Sequence, residues 1–273
     1  MSEKPYLSVI IPSYKEAERI GRTLLEIEEY LSKKDFSYEI LVVVDGSPDN
    51  TAEVARNYGS QVTNLRVIDN EKNHGKGYVV RQGLLEAKGE YRLFMDADGS
   101  TAITHLDTFL PEIAKEDVDA VFGSRAIEGA FIQVHQPKHR EIMGDMGNWL
   151  IRIVLGLWAF PDTQCGFKML SARAAEAVAD RMVVDRFGFD FELIVLTRKL
   201  GFSYKQLPVR WLNEEGSTVS LTGPNGFIQV LIDLFKTRWR LWTGAYKIGS
   251  GEQRAESRKQ RAEIGEQKAE SRK

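Results

Sequence analysis

"LSVIIPSYKEAERIGRTLLEIEEYLSKKDFSYEILVVVD", residues 7–45, decides the fold. Its first seven residues are a near-continuous apolar run, as expected of a strand covered on both faces. Ile20, Leu24, Ile27 and Leu31 then recur at three- and four-residue spacing, which marks an amphipathic helix within residues 16–34. Residues 39–45, "EILVVVD", return to an apolar strand. The alternation continues with helix 50–59, strand 65–70, helix 76–89, strand 91–98, a helix over "LDTFLPEIAKE" and strand 119–125. Repeated in this way it predicts βαβ units, hence an α/β fold with a mostly parallel sheet flanked by helices.

Beyond residue 126 the pattern loosens. Residues 126–148 are rich in Gly, His, Met and Gln and read as a long loop or lid. "WLIRIVLGLWAF" (149–160) reads as a short helix, buried or lying on a membrane surface. Residues 166–171 and 204–211 read as strands, the second ending in Trp211, with helices at 172–182 and 190–201. The stretch 226–247 is an amphipathic helix whose end mixes Lys236, Arg238, Arg240 and Lys247 with Trp239 and Trp242. That mixture suits a segment lying in a membrane interface, and equally a helix that covers the core. After residue 248 the composition changes: "EQRAESRK" at 252–259 returns as "EQKAESRK" at 266–273. We expect one domain over 1–248, with a nucleotide-binding half (7–125) and an acceptor half (126–248), then a charged tail over 249–273.

Composition excludes more than it assigns. The 273 residues carry a net charge of −2, so no general attraction to nucleic acid is expected. One cysteine, Cys165, rules out an internal disulfide. "MSEKPYLSVI" runs straight into a strand, and no window reaches 18 uninterrupted apolar residues, so neither a leader nor a spanning helix is expected. No G-x-G-x-x-G follows the first strand and no P-loop motif is present.

Ligands of parallel α/β sheets bind beyond the carboxyl ends of the strands, so the residues there form one list. The first strand delivers Pro12, Tyr14 and Glu16; the second delivers Asp45; the fourth delivers Asp96 and Asp98; the fifth delivers Arg125. Tyr14 can stack on a flat base, Asp45 can accept from a base N–H, and Glu16 can accept from a base or ribose. In "MDADG" the two aspartates, with one residue between them, would share one side of an extended chain. Mutual repulsion invites a hard divalent cation, Mg²⁺ or Mn²⁺, bridged to a nucleotide diphosphate. "NHGKGYVV" (73–80) places Lys76 at a helix start, either near a phosphate or in a glycine-eased turn.

"SVIIPSYKEAERI", "VVDGSPDNT", "NHGKG" and "FMDADGS" resemble the nucleotide-binding half of the family 2, GT-A-fold glycosyltransferases. "GSRA", "DTQCGFKML", "RFGFDFEL", "PVRW", "EEGST" and "LWTGAYK" follow in the order seen in dolichyl-phosphate glucosyltransferases, so the resemblance spans roughly residues 7–247. It implies inverting transfer of glucose from UDP-glucose to a dolichyl or polyprenyl phosphate, by an enzyme peripheral on the cytoplasmic face of a membrane. Alternatives are a GDP-mannose or UDP-GlcNAc donor, a glycan acceptor, or a catalytically silent membrane-bound partner. The sequence departs from the family at Val44, where an aspartate is usual, and at Phe187, usually tryptophan. Eukaryotic members also carry an N-terminal span, which is not expected here.

On this reading Arg125, Lys168 and Arg186 are the candidates to position the acceptor phosphate. Asp190 matches the place of a base in related enzymes with hydroxyl acceptors; here it orients the sugar or an arginine, or caps a helix. Gln164 and Trp211 are expected at the sugar pocket, with a core role open for Trp211.

Overall fold

The computed structural model describes residues 4–115, 117–132, 138–212 and 224–246. Its strands are β1 (Leu7–Ser13), β2 (Tyr38–Asp45), β3 (Leu65–Asn70), β4 (Tyr91–Met95), β5 (Ala120–Ser124), β6 (Phe131–Ile132), β7 (Phe167–Ser171), β8 (Tyr204–Pro208) and β9 (Arg210–Trp211). Its α-helices are α1 (Ile20–Leu31), α2 (Thr51–Asn57), α3 (Lys76–Glu86), α4 (Leu106–Ile113), α5 (Lys138–Leu155), α6 (Ala172–Ala179), α7 (Phe189–Lys199) and α8 (Pro224–Thr243). The α/β expectation holds.

Seven strands form one sheet in the order β3-β2-β1-β4-β7-β5-β8. Only β7 runs antiparallel to its neighbours, and it sits between β4 and β5. A strand from the second half of the chain therefore joins the two parallel blocks, and the halves share one sheet. Alternation along each strand feeds two cores. Val9, Ile11, Val42, Val44 and Leu93 pack toward α1, α2 and α4. Ile10, Leu41, Val43 and Phe94 pack toward α3, α6 and α7.

Three expectations are corrected. Residues 138–148, expected in a loop, are the N-terminal part of the 18-residue α5. Gly144 and Gly147 mask the helical signal in sequence; the helix is held instead by Ile151 and Leu155, buried in the second core, and by packing on α8. The strand expected over 204–211 breaks in two. Pro208 has no N–H to continue the ladder, and beyond it Val209 N donates to Ser124 O at 3.1 Å while Phe131 N donates to Val209 O at 3.2 Å. Finally, β4 stops at Met95, so Asp96 and Asp98 stand in a turn and not on an extended strand. Gly99, at φ 73°, supplies the left-handed residue that turn needs.

The sharp start of α6 gives a small stability test. Ser171 Oγ accepts from Ala174 N at 3.3 Å as an N-cap. Ser171→Ala is expected to cost about 1 kcal/mol, a fall of roughly 2–4 °C in Tm for a chain of this size, read by thermal unfolding.

Candidate active site

The loops after β1, β2 and β4 converge on one edge of the sheet. Tyr14 presents its ring at 37% exposure, with Lys15 Nζ 5.5 Å from the ring centroid. Lys15 N donates to Ser47 Oγ at 2.8 Å and Glu16 N to Thr51 Oγ1 at 2.9 Å, so the first two loops are strapped together. Pro12 stays inside β1 opposite Val43, buried below the rim. Glu16 is gripped by Arg19 through Nε (2.9 Å) and Nη2 (3.1 Å). Burial raises the Glu16 pKa, Arg19 opposes the rise, and the carboxylates of Asp98 and Asp96 add to it. Those two aspartates therefore do share a site with Glu16, although the turn and not strand alternation brings them there.

Asp98 Oδ1 accepts from Ser100 N at 2.9 Å, which fixes one of its oxygens. Asp96 Oδ1 is buried, meets Lys76 Nζ at 2.6 Å, and accepts no hydrogen bond of ordinary geometry among the described residues. Lys76 remains charged despite burial because Asp96, Asp190 and Asp98 surround it, and its pKa is raised. Among the described residues no group of three or more His, Cys, Asp or Glu could hold a metal by itself. The two carboxylates, one with a buried oxygen that faces only an ammonium, fit a Mg²⁺-type ion that takes its remaining ligands from water and phosphate.

Asp45 is bonded to the loop after β3. Its carboxylate is buried and accepts from Asn73 Nδ2 (2.9 Å), His74 N (2.8 Å) and Gly75 N (2.8 Å). It clamps the loop that carries Lys76. The neighbouring Val44 points into the first core at 0% exposure, so the residue type there serves packing.

The expected acceptor cations divide. Arg125 binds Asp162 through Nε (2.8 Å) and Nη2 (3.0 Å) and lies 5.4 Å from the Trp211 ring. Burial would lower the Arg125 pKa, but Asp162 holds it higher than usual; Asp162 in turn is pulled down against its own burial by Arg125. The fork expected at a phosphate is thus engaged by a carboxylate, and Arg125, Asp162 and half-buried Trp211 make one wall. Gln164, also half-buried, continues that wall and donates its backbone N–H to Asp162 Oδ1 at 3.1 Å. Lys168 is 1% exposed; its ammonium donates to Cys165 O at 2.5 Å and pairs with Asp190 beneath the site. Burial pushes the Asp190 carboxyl up, against the pull of Lys168 and Lys76. Arg186 is exposed beside the lysine loop and makes no ion pair among the described residues.

Residues 8–178 match the family model described as "Glycosyl transferase family 2". The chain belongs to glycosyl transferase family 2. A dolichyl-phosphate beta-glucosyltransferase of Trichomonas vaginalis is 34% identical over 256 residues, covering 88% of this chain and 77% of the relative. The human dolichyl-phosphate beta-glucosyltransferase is 33% identical, covering 89% and 78%. Among solved structures, glucosyl-3-phosphoglycerate synthase from Mycobacterium tuberculosis, in complex with Mn²⁺, UDP-glucose and phosphoglyceric acid, has a TM-score of 0.62. That structure is 19% identical, and the match covers 86% of this chain and 80% of that one. The expected GT-A fold holds.

Sequence reading of this glycosyltransferase missed two groups. Asp162, the partner of Arg125, is the first residue of the quoted "DTQCGFKML" motif, and an acid followed by Thr-Gln is the signal that was present. Glu192 is 0% exposed and accepts from Val184 N (2.9 Å) and Tyr246 OH (2.6 Å). Nothing local in "FDFEL" says that its glutamate turns inward; only the fold brings Tyr246 to it.

Proposed function

We propose that this glycosyltransferase moves glucose from UDP-glucose to the phosphate of dolichol or another polyprenol, with inversion to a β-linked product. The observation that carries the acceptor is the Lys168–Asp190 pair. Asp190, which matches the place of a base in related enzymes, is tied to a buried ammonium beneath the site. A phosphate monoester is already anionic at pH 7 and needs no strong base, whereas a sugar hydroxyl does. The names of the relatives, and the donor in the mycobacterial complex, support the same assignment.

An acceptor phosphate oxygen attacks the anomeric carbon in line while the bond from that carbon to the UDP oxygen breaks, and the electron pair leaves with the diphosphate. When bound, Mg²⁺ or Mn²⁺ on Asp96 and Asp98 supplies charge neutralisation for the departing diphosphate. Lys76 adds a point charge on the same side, Tyr14 offers its ring to the base, and Asp45 keeps the lysine loop in place. Arg186 meets the incoming acceptor phosphate. Arg125 and Trp211 form the wall against which the sugar lies.

The acceptor's lipid requires a membrane surface. Among the described residues no helix is long and apolar enough to cross a membrane. The two readings of the last helix both find support, on opposite faces. Leu234 and Thr237 are buried, while Ile228, Ile232, Phe235, Trp239 and Trp242 are exposed at helical spacing. Met146, Trp149 and Ile153 are also exposed, on α5, against which α8 packs. Exposed Lys236 and Arg238 adjoin Phe235 and Trp239 in the chain, while Lys247 lies outside the described residues. We assign this face to the cytoplasmic surface of a membrane, where such aromatic and basic helices settle. Replacing Trp239 and Trp242 with Ser is expected to weaken co-sedimentation with anionic vesicles at least about tenfold. Transfer to a short water-soluble acceptor is expected to be unchanged.

The deciding experiment is a donor screen for nucleotide release, with and without a short polyprenyl phosphate and with Mg²⁺ or Mn²⁺. Release from UDP-glucose, stimulated by the lipid phosphate, is expected. Faster release from GDP-mannose or UDP-GlcNAc would replace the donor assignment, and no release from any donor would favour a silent binding partner.

A further inference from the structure

Asp96 packs one side of its carboxylate against bare backbone. A Cβ added to Gly166 would come within 1.9 Å of Asp96 Oδ2, so the carboxylate lies directly on bare backbone. Asp96 N also donates to Gly166 O at 3.1 Å. The other oxygen, buried Oδ1, has the Lys76 ammonium 2.6 Å away. Lys76 is not confined in the same way. It sits at the first residue of α3 on a flexible four-carbon stem. Asp190 offers it a second negative charge, and the Phe94 ring, 5.7 Å from its Nζ, forms a surface beneath it. Lys168 is also 5.7 Å from that ring and already holds Asp190.

A dication cannot share Asp96 Oδ1 with an ammonium at this distance, because like charges repel strongly in a partly desolvated site. We propose that Lys76 is a tethered cation standing at the metal position of Asp96, so that a divalent metal and a nucleoside diphosphate bind as a unit. This rests on the reading of Asp96 and Asp98 as metal ligands. Metal arriving alone must push the ammonium toward Asp190, whose charge Lys168 already offsets, so the displaced Lys76 is poorly compensated. A diphosphate supplies the missing alternative. Its oxygens draw Lys76 off Asp96, and the freed carboxylate oxygen then takes the metal that bridges to the same diphosphate. Each ligand thus completes the site for the other, and the protein does not hold a metal that lacks a donor.

The test is Mn²⁺ binding to the full chain, measured by electron paramagnetic resonance of free Mn²⁺, with and without UDP. UDP is expected to tighten wild-type Mn²⁺ binding at least about fivefold, the lower end of ordinary site-to-site coupling. Lys76→Met removes the competing charge at similar length. It is expected to bind Mn²⁺ alone at least about fivefold tighter than wild type, with a smaller UDP effect than wild type because only the metal–diphosphate bridge then couples the two ligands. Lys76→Arg keeps the charge and is expected to retain weak binding of Mn²⁺ alone. If Lys76→Met binds Mn²⁺ alone no tighter than wild type, while wild type binds it with UDP, the tethered-cation inference fails and the metal reading stands. If wild type binds no Mn²⁺ even with UDP, both fail. The wild-type measurement also decides without any variant, because a UDP effect under about twofold overturns the inference.

Discussion

Asp98→Asn is expected to reduce transfer at least about a hundredfold, a loss near 2.7 kcal/mol of transition-state stabilisation. The structure makes this a clean substitution. Asp98 Oδ1 accepts from Ser100 N at 2.9 Å, and an asparagine oxygen can keep that turn bond while the charge is lost. Ala97, beside it, is buried, with its carbonyl accepting from Thr23 Oγ1 at 2.8 Å, so the turn is anchored independently of the carboxylate. Thermal unfolding is therefore expected to stay within about 2 °C of wild type, as for other substitutions that break no buried contact. Steady-state transfer and Mn²⁺ binding in the presence of UDP are the measurements. A near-normal rate, or full activity in excess EDTA, would remove the metal bridge from the mechanism.

Lys168→Met carries the largest expected stability effect. Lys168 and Asp190 face each other at 1% and 10% side-chain exposure. Removing one member leaves the other as an uncompensated buried charge, at a cost of about 3–5 kcal/mol. In a chain of this size that is a fall of roughly 10 °C in Tm. The deficit is expected to shrink in acid. Burial already raises the Asp190 pKa in the folded state, and loss of Lys168 raises it further above the unfolded value of about 3.9. A raised folded pKa contributes stability that is present below the unfolded pKa and is lost as pH rises through the folded one. The variant is therefore expected to lie closer to wild type at pH 5 than at pH 7.5. Adding Asp190→Asn to Lys168→Met is expected to restore much of the loss, because no bare charge remains. Equal deficits at both pH values, with no recovery in the double variant, would show that Lys168 matters through packing alone.

The pattern of residues 7–124 determines a layered α/β arrangement, because each strand and helix there carries its own period. Strand 65–70 and the start of α3 at Lys76 fall where the periodicity puts them. Hydrophobic alternation is a local property, written every two or four residues, and a two-layer sandwich uses it directly. The candidate site was legible in the same way as far as chain order allows: Tyr14, Glu16, Asp96 and Asp98 follow strand ends, and strand ends of a parallel block share an edge.

Direction and partnership were not legible. Asp45 turns to the 73–75 loop, Arg125 to Asp162, and Lys168 to Asp190. Each is a charged or polar group that looks, in sequence, as available as Arg186 does. A partly desolvated charge needs an opposite charge or several donors close by, and which one it finds depends on segments 22 to 37 residues apart meeting across the sheet. The antiparallel insertion of β7 makes several of those meetings: it sets Lys168 beneath Phe94 and lays Gly166 against Asp96. By itself the sequence determined a layered α/β chain with an acidic, aromatic rim at the strand ends, since those features follow from local periodicity. Only the tertiary structure decided which charges face that rim and which are neutralised below it, because the cost of burying a charge is settled by its neighbours in space and not by its neighbours in the chain.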